Sequence, residues 1–192
     1  MKKAAAVLSA LTLILGACNN ETKDSVEKAD SANTAKIDSP GPGNQPVKAD
    51  EESSSFMVRA ADGGMTEVHL ARMAGSKAAD AKVKGFAAMM VQDHSAANDQ
   101  VKMLANQRNV TLPDSMSADN KKKAEDLGKK AGKAFDKAFM DIMIKDHESA
   151  VDLFEKSGDK VNDTDVKTFI NNTLPKIKMH LDSAKAIRKS LK

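Results

Sequence analysis

Residues 83–104, VKGFAAMMVQDHSAANDQVKML, hold the pattern that decides the fold. Their apolar side chains recur at steps of four and three, which is the spacing of one face of an α-helix. The stripe consists of Val83, Ala87, Met90, His94, Ala97, Val101 and Leu104. The sequence therefore predicts an amphipathic helix over about residues 80–107, with a histidine inside its apolar face.

The same frame occurs a second time along the chain. MVQDH at residues 90–94 returns as MIKDH at residues 143–147, and flanking apolar and acidic positions repeat at the same offset. Similar segments usually lie in similar surroundings. We therefore expect His94 and His147 to occupy equivalent places in two helices.

Helix-forming residues dominate the chain after residue 55, and strand signals are almost absent. Long helices are expected over residues 55–76, 80–107, 132–157 and 163–190, with a short helix over 118–130 that Ser117 caps. Gly63–Gly64 is expected to interrupt or bend the first long helix. Pro175 should bend the last one or move its start towards residue 174.

Each long helix carries one ionisable residue on its apolar stripe, and these are Glu67, His94, His147 and His180. His69 falls off the stripe and is predicted to lie on the surface. Four amphipathic helices bury their stripes by packing together, so the predicted fold class is all-α, a four-helix bundle. If the connection over residues 109–131 crosses the bundle lengthwise, the second and third long helices run parallel, with their histidines at one level.

The first residues have the layout of an exported lipoprotein. A basic start and a short apolar stretch predict a signal peptide over residues 1–17, too short to span a bilayer permanently. Its LGAC ending resembles the bacterial lipobox, in which the cysteine, here Cys18, carries acyl chains such as palmitate and anchors the protein to a membrane. The alternative is an ordinary signal with an incidental cysteine.

Residues 18–54 contain few large apolar side chains and concentrate proline and glycine at their centre. Such a segment predicts a flexible, disordered linker and leaves residues 55–192 as the folded domain. Asn19, after the cysteine, is not the aspartate that retains lipoproteins at the inner membrane. The outer membrane is therefore the expected location.

The charge balance argues against nucleic acid as a partner. Without Lys2 and Lys3 the chain has 28 basic and 27 acidic side chains, and it contains no Trp or Tyr to stack on bases.

The polar residues on the four stripes have three interpretations. As a metal site, Glu67, His94, His147 and His180 would each supply one ligand to a single zinc, copper or iron ion. Asp93 and Asp146 precede two of these histidines, but adjacent helical residues point about 100° apart. They are expected to support the site from outside or to lie on the surface.

The second interpretation is a metal-free polar core, in which the same residues satisfy one another's hydrogen bonds and fix which helices are neighbours. The third is catalysis, which the sequence disfavours because it has neither a recognisable nucleophile frame nor a phosphate-binding loop. The methionines are interpreted as core filler rather than as soft copper ligands. They are Met65, Met73, Met89, Met90, Met103, Met140, Met143 and Met179.

Four segments carry a family resemblance: residues 55–74, 83–105, 135–155 and 169–187, with the paired DH motifs and a TLP-to-His motif. Over about residues 54–190 the chain resembles the bacterial domain-of-unknown-function family 4142. The resemblance implies a ferritin-like four-helix bundle and an exported or lipid-anchored protein, without an established activity. The matching positions are Glu67, Asp93, His94, Asp146, His147, Pro175 and His180.

The chain departs from true ferritins at the positions that would complete a di-iron site. Such bundles carry Glu-x-x-His on two helices. Here Val91, Ile144 and Ile177 stand three residues before the histidines. A di-iron centre and iron storage are therefore not expected. The sequence predicts an envelope lipoprotein with a single metal ion, or alternatively a metal-free bundle that acts through envelope partners or in stress tolerance.

Overall fold

A computed structural model describes residues 23–38 and 49–191. The helices in these residues are α1 Ser25–Asp38, α2 Glu51–Lys77, α3 Ala81–Gln107, α4 Ala118–Gly128, α5 Gly132–Lys160 and α6 Thr164–Ser190. The four long helices α2, α3, α5 and α6 form the predicted four-helix bundle. The all-α fold class is confirmed.

Short polar side chains fix where several helices begin. Asp50, Asp80 and Asp163 cap α2, α3 and α6 by accepting hydrogen bonds from backbone N–H groups of the first turn. Ser117 caps α4 in the same way, as predicted. These bonds satisfy N–H groups that have no partner inside the helix.

Two hydrophobic clusters show how the helices run. The Phe139 cluster joins the end of α2, the start of α3, the start of α5 and the end of α6, and its large buried members include Leu70, Phe86, Met90, Phe135, Phe139, Met140 and Met143. The Phe154 cluster joins the opposite helix ends and includes Phe56, Met57, Val101, Leu104, Phe154, Phe169, Ile170 and Ile177. Since α3 and α5 both run from one end of the bundle to the other in the same sense, they are parallel. The connection that contains α4 therefore spans the length of the bundle.

The expected helix breakers do not end their helices. α2 runs through Gly63 and Gly64, because α3 packs against this point: a Cβ on Gly64 would stand 1.9 Å from Oδ1 of Asn98. α6 begins at Thr164 and runs through Pro175, so its start does not move to residue 174. Pro175 is exposed, so water can reach the backbone carbonyl that its missing N–H leaves unpaired.

A flexible linker was predicted over residues 18–54, but the structure has the helix α1 within this segment. The Asn33 side chain exchanges two hydrogen bonds with the Thr111 backbone, at 2.7 and 2.8 Å. The Ser25 hydroxyl donates to Asp114 at 2.8 Å. Composition missed this helix because it is held by polar bonds to a loop rather than by large apolar side chains. The bundle itself also begins before residue 55, since α2 starts at Glu51.

The predicted signal peptide over residues 1–17 and the lipidation site Cys18 lie outside the described residues. Within the described ranges, no helix combines the length and the apolar character needed to cross a membrane.

Candidate metal centre

Three histidines from three helices meet between the Phe139 and Phe154 clusters. His94 from α3, His147 from α5 and His180 from α6 are all buried, with exposed fractions of 8%, 0% and 1%. Their ring centroids lie 5.3 to 5.6 Å apart. One ring nitrogen of each lies within 4.8 Å of the corresponding nitrogens of the other two. The parallel course of α3 and α5 thus brings the two repeated histidines to one level, as the sequence indicated.

The ring of His94 is held by a carboxylate. Its Nδ1 lies 2.8 Å from Oε2 of Glu67, which is itself buried in α2. An imidazole N–H donates to such a carboxylate, so the proton of His94 Nδ1 faces Glu67. The other nitrogen, Nε2, faces Nδ1 of His180 at 3.3 Å.

The ring of His180 is held from the opposite side of the cluster. Its Nε2 lies 2.9 Å from Oδ2 of Asp93, and Lys176 pairs with Oδ1 of the same aspartate at 3.0 Å. The proton on Nε2 therefore faces Asp93, and the lone pair of His180 Nδ1 faces Nε2 of His94 at 3.3 Å.

The ring of His147 is held by its own helix. Its Nδ1 lies 2.8 Å from the backbone oxygen of Met143, one turn earlier, and 3.4 Å from Oε1 of Glu67. With the proton on Nδ1, Nε2 carries a lone pair. That atom is buried and has no hydrogen-bond partner among the described residues. Buried polar atoms are normally satisfied, so this lone pair needs an explanation.

In each ring one nitrogen faces an oxygen acceptor, and we call it the outer nitrogen; the other is called the inner nitrogen. The inner nitrogens are His94 Nε2, His147 Nε2 and His180 Nδ1. Hydrogen bonding of the outer nitrogen to a carboxylate or carbonyl is the usual way in which proteins orient a metal-binding histidine. Three buried histidines this close together could bind a metal ion.

Glu67 and His94 form an ion pair in the core. Burial acts to raise the pKa of Glu67, but the charge and hydrogen bond of His94, with the charges of His147 and His180, lower it to about 2. Burial acts to lower the pKa of His94, yet the charge and hydrogen bond of Glu67 outweigh it and raise that pKa. A bound ion would therefore have to displace a proton from His94.

The other two histidines favour the neutral form. Burial lowers the pKa of His147, and it likewise lowers the pKa of His180, where the hydrogen bond to Asp93 opposes the shift only in part. Neutral imidazole is the form that binds metals. Two of the three rings are thus already in the ligand state at neutral pH.

The predicted site residues have three different roles in the structure. The structure brings the three histidines together, whereas Glu67 contacts the outer nitrogens of His94 and His147 rather than their inner ones. Asp93 supports His180, which lies 87 residues away in the sequence. Asp146 pairs with Lys123 of α4 at 2.8 Å and has no hydrogen bond to a histidine. Burial raises the pKa of Asp146, although Lys123 opposes the shift.

Sequence reasoning missed three participants: the Met143 carbonyl, Lys176 and Lys123. The carbonyl was within reach of sequence reasoning, since in a helix the backbone oxygen four residues earlier lies about one turn away. The lysines lie on the polar faces of α6 and α4 and carry no distinguishing signal. His69 is exposed, as predicted. The buried Met90, Met140 and Met143 fill the Phe139 cluster, whereas Met103 and Met179 are exposed.

Comparison with known proteins supports the same fold. A family model described as "Domain of unknown function (DUF4142)" matches residues 38–187. A solved structure described as a "DUF305 fragment from Deinococcus radiodurans" has a TM-score of 0.68 at 12% identity, and the match covers 75% of this chain and 99% of that one. No curated protein matches. The architecture is thus that of a ferritin-like helical bundle.

Proposed function

The chain belongs to the DUF4142 family, and we propose that it is an envelope lipoprotein whose bundle binds a single metal ion through His94, His147 and His180. The buried lone pair of His147 Nε2 carries the proposal. A histidine that served only as a polar core residue would need a hydrogen-bond partner at that atom. A metal ion is the partner that suits it.

One of the three spacings between the histidine nitrogens matches an ion of zinc size, and all three lie within 4.8 Å. In a tetrahedral site with Zn–N bonds of about 2.0 Å, two ligand nitrogens lie about 3.3 Å apart. His94 Nε2 and His180 Nδ1 are 3.3 Å apart. Imidazole also suits copper and iron, so the donor set favours these three metals and disfavours magnesium and calcium.

Glu67 and Asp93 would orient the site rather than bind the ion. Glu67 holds the outer nitrogen of His94, and Asp93 holds that of His180. Their charges would offset part of the charge of the ion and make both rings better donors. This role replaces the ligand role that the sequence suggested for Glu67.

Metal binding can be tested on the full chain carrying Cys18→Ser, which avoids the need for detergent. We expect elemental analysis to find one zinc, copper or iron ion per chain, and titration of metal-stripped protein with zinc and copper to show one site. His147→Leu should remove that site, because it deletes the free lone pair. His69→Leu, a change of the exposed histidine, is the matched control and should bind as the parent does. Equal binding by both variants would contradict the proposal.

The lipid anchor at Cys18 is a separate part of the proposal. It is supported by the LGAC sequence and by the absence of any other cysteine in the chain. Radiolabelled palmitate should be incorporated by cells that express the wild-type chain and not by those that express Cys18→Ser. With Asn19 next in the sequence, the labelled protein should fractionate with the outer membrane. Equal labelling of both chains would show that Cys18 is not the acylated residue.

A metal-free polar core is the alternative function of this cluster. It is supported by the chain of hydrogen bonds from Lys176 through Asp93, His180 and His94 to Glu67, which links three helices without an ion. In that case the bundle acts by contact with envelope partners. The histidine variants would then lower thermal stability without changing any response to metals.

A further inference from the structure

We propose that a second pocket, beside the three histidines, binds a small amphipathic anion such as a medium-chain carboxylate. A cavity of about 380 Å³ lies among α2, α3, α5 and α6, on the side of the histidines that faces the Phe154 cluster. Its volume is typical of pockets that hold small molecules. The cavity does not include the inner nitrogens of His147 or His180, so this proposal does not depend on the metal proposal.

The inner walls of the pocket are mostly apolar, although Thr66, Asn98 and Thr173 also line it. They include side chains from three helices, namely Val101, Leu153, Phe154, Phe169 and Ile177. Glu67 and His94 contribute polar atoms at one end, but these are already paired with each other. The interior therefore suits a hydrocarbon body rather than a second polar group.

Gly63 keeps this space open. Glycine is a poor helix former, and Gly63 lies in the middle of the 27-residue helix α2. A Cβ added to Gly63 would meet nothing within 4 Å, whereas one added to Gly64 would collide with Asn98. Gly64 thus has a packing reason to be glycine. Gly63 has none, and it lines the cavity.

The mouth of the pocket has an excess of positive charge. Its exposed lining residues are Arg59, Lys145 and Ser149. Arg59 donates to a serine hydroxyl, and neither Arg59 nor Lys145 forms a salt bridge within the described part of the chain. An anionic head group at the mouth would find two cations that form no ion pair with an acid of the described chain.

Of the two carboxylates near the mouth, one is hydrogen-bonded by neutral groups and the other is ion-paired. Asp62 accepts hydrogen bonds from the Ser117 backbone and the Asn120 side chain, at 2.7 and 2.8 Å. Asp146 pairs with Lys123. These bonds hold α4 beside the pocket. The donors to Asp62 are neutral, so Asp62 keeps its charge, and Arg59 and Lys145 give the mouth a net excess of one positive charge. The ligand therefore places its carboxylate at Arg59 and Lys145 and its apolar chain among the phenylalanines.

The test uses octanoate, octanol and octylamine, which share one chain length and differ in charge. Each is titrated by calorimetry into the metal-stripped full chain carrying Cys18→Ser. We expect octanoate to bind at least about fivefold more tightly than octanol, with octylamine weakest, because two exposed cations contribute only modestly each. Failure of octanoate to bind, or equal binding of octanol, would overturn the proposal.

Two variants locate the bound ligand. Gly63→Leu should fill the pocket and reduce octanoate binding more than tenfold. Gly75→Leu is the matched control, because Gly75 lies in the same helix, is exposed and also has open space beside it. The double variant Arg59→Gln, Lys145→Gln should weaken octanoate about fivefold and leave octanol unchanged.

The mouth variant keeps the test decisive if Gly63→Leu fails to fold, since both of its positions are on the surface. A folded Gly63→Leu protein that binds octanoate normally would place the ligand elsewhere and overturn the proposal. So would a mouth variant with unchanged selectivity. Because the protein is metal-stripped throughout, loss of the metal proposal would not affect these results.

Discussion

The two copies of the Met-x-x-Asp-His frame have equivalent places in the fold, but the pKa values of their histidines are shifted in opposite directions. His94 and His147 lie at one level in the parallel helices α3 and α5. Burial acts to lower the pKa of both, but only at His94 do the charge and the hydrogen bond of the Glu67 carboxylate together outweigh it and raise the pKa. The outer nitrogen of His147 lies closer to a neutral backbone carbonyl, at 2.8 Å, than to Glu67, at 3.4 Å. The frame therefore determines where each histidine lies, and Glu67, which is outside the frame, determines which histidine is charged.

The aspartates of the two frames differ in the same way. Burial acts to raise the pKa of both, but at Asp93 hydrogen bonds from Lys176 and His180 lower it, whereas at Asp146 burial prevails over Lys123 and raises it. Asp93 is thus part of the histidine network, and Asp146 attaches α4 to α5. One copy supports the candidate metal centre from outside, and the other supports the bundle.

The largest expected effect comes from making the same substitution in both frames. His94→Leu should cost about 3 to 5 kcal/mol of unfolding free energy, because it leaves the buried Glu67 carboxylate without its charged partner. His147→Leu should cost about 1 kcal/mol or less, since one nitrogen of that ring has no partner and the ring is neutral. Urea unfolding of the metal-stripped protein at pH 6 measures both values.

Equal losses in the two variants would contradict the comparison. They would mean that the Met143 carbonyl holds its histidine as strongly as Glu67 does. His69→Leu is the control for loss of an exposed histidine and should lie within about 0.5 kcal/mol of the parent.

The next effect is the pH dependence of the pair between Glu67 and His94. The lowered pKa of Glu67 stabilises the fold above its ordinary value of 4.5, and this contribution is lost as the pH falls from 4.5 to about 2. The raised pKa of His94 stabilises the fold below 6.5, and that contribution is lost as the pH rises through the raised value. The pair therefore contributes most between pH 4.5 and 6.5.

Glu67→Gln tests this window. The stability gap between the parent and the variant should be on the order of 3 kcal/mol near pH 5 and should close as the pH falls towards 2. Thermal unfolding across this pH range provides the measurement. Glu125→Gln, a change of an exposed residue of α4, should show no such gap. A gap that stays constant down to pH 2 would mean that packing, and not charge, accounts for the loss.

The difference between the two frames also shows which parts of the site can be predicted from the sequence. The three- and four-residue spacing indicated that three histidines face the core, since periodicity fixes the side of a helix on which a residue lies. It could not show which nitrogen points inward, because ring orientation depends on acceptors from other helices. Because Glu67 lies on the stripe of its helix, the sequence predicted it as a fourth ligand and not as the acceptor that holds the outer nitrogen of His94. The contact between Asp93 and His180 was equally out of reach, because it depends on the rotation of α3 against α6.

The smallest expected effect compares the two aspartates. Asp93→Asn should reduce zinc affinity about tenfold, because it weakens the acceptor that holds His180, and should cost about 1 kcal/mol of stability. Asp146→Asn should change zinc affinity less than about twofold and stability by about 0.5 kcal/mol or less, since burial already disfavours the charge of Asp146. Zinc titration and urea unfolding of the two variants separate these outcomes. If Asp146→Asn weakened zinc binding as much as Asp93→Asn, the second frame would also support the centre, and the division of roles between the two copies would be wrong.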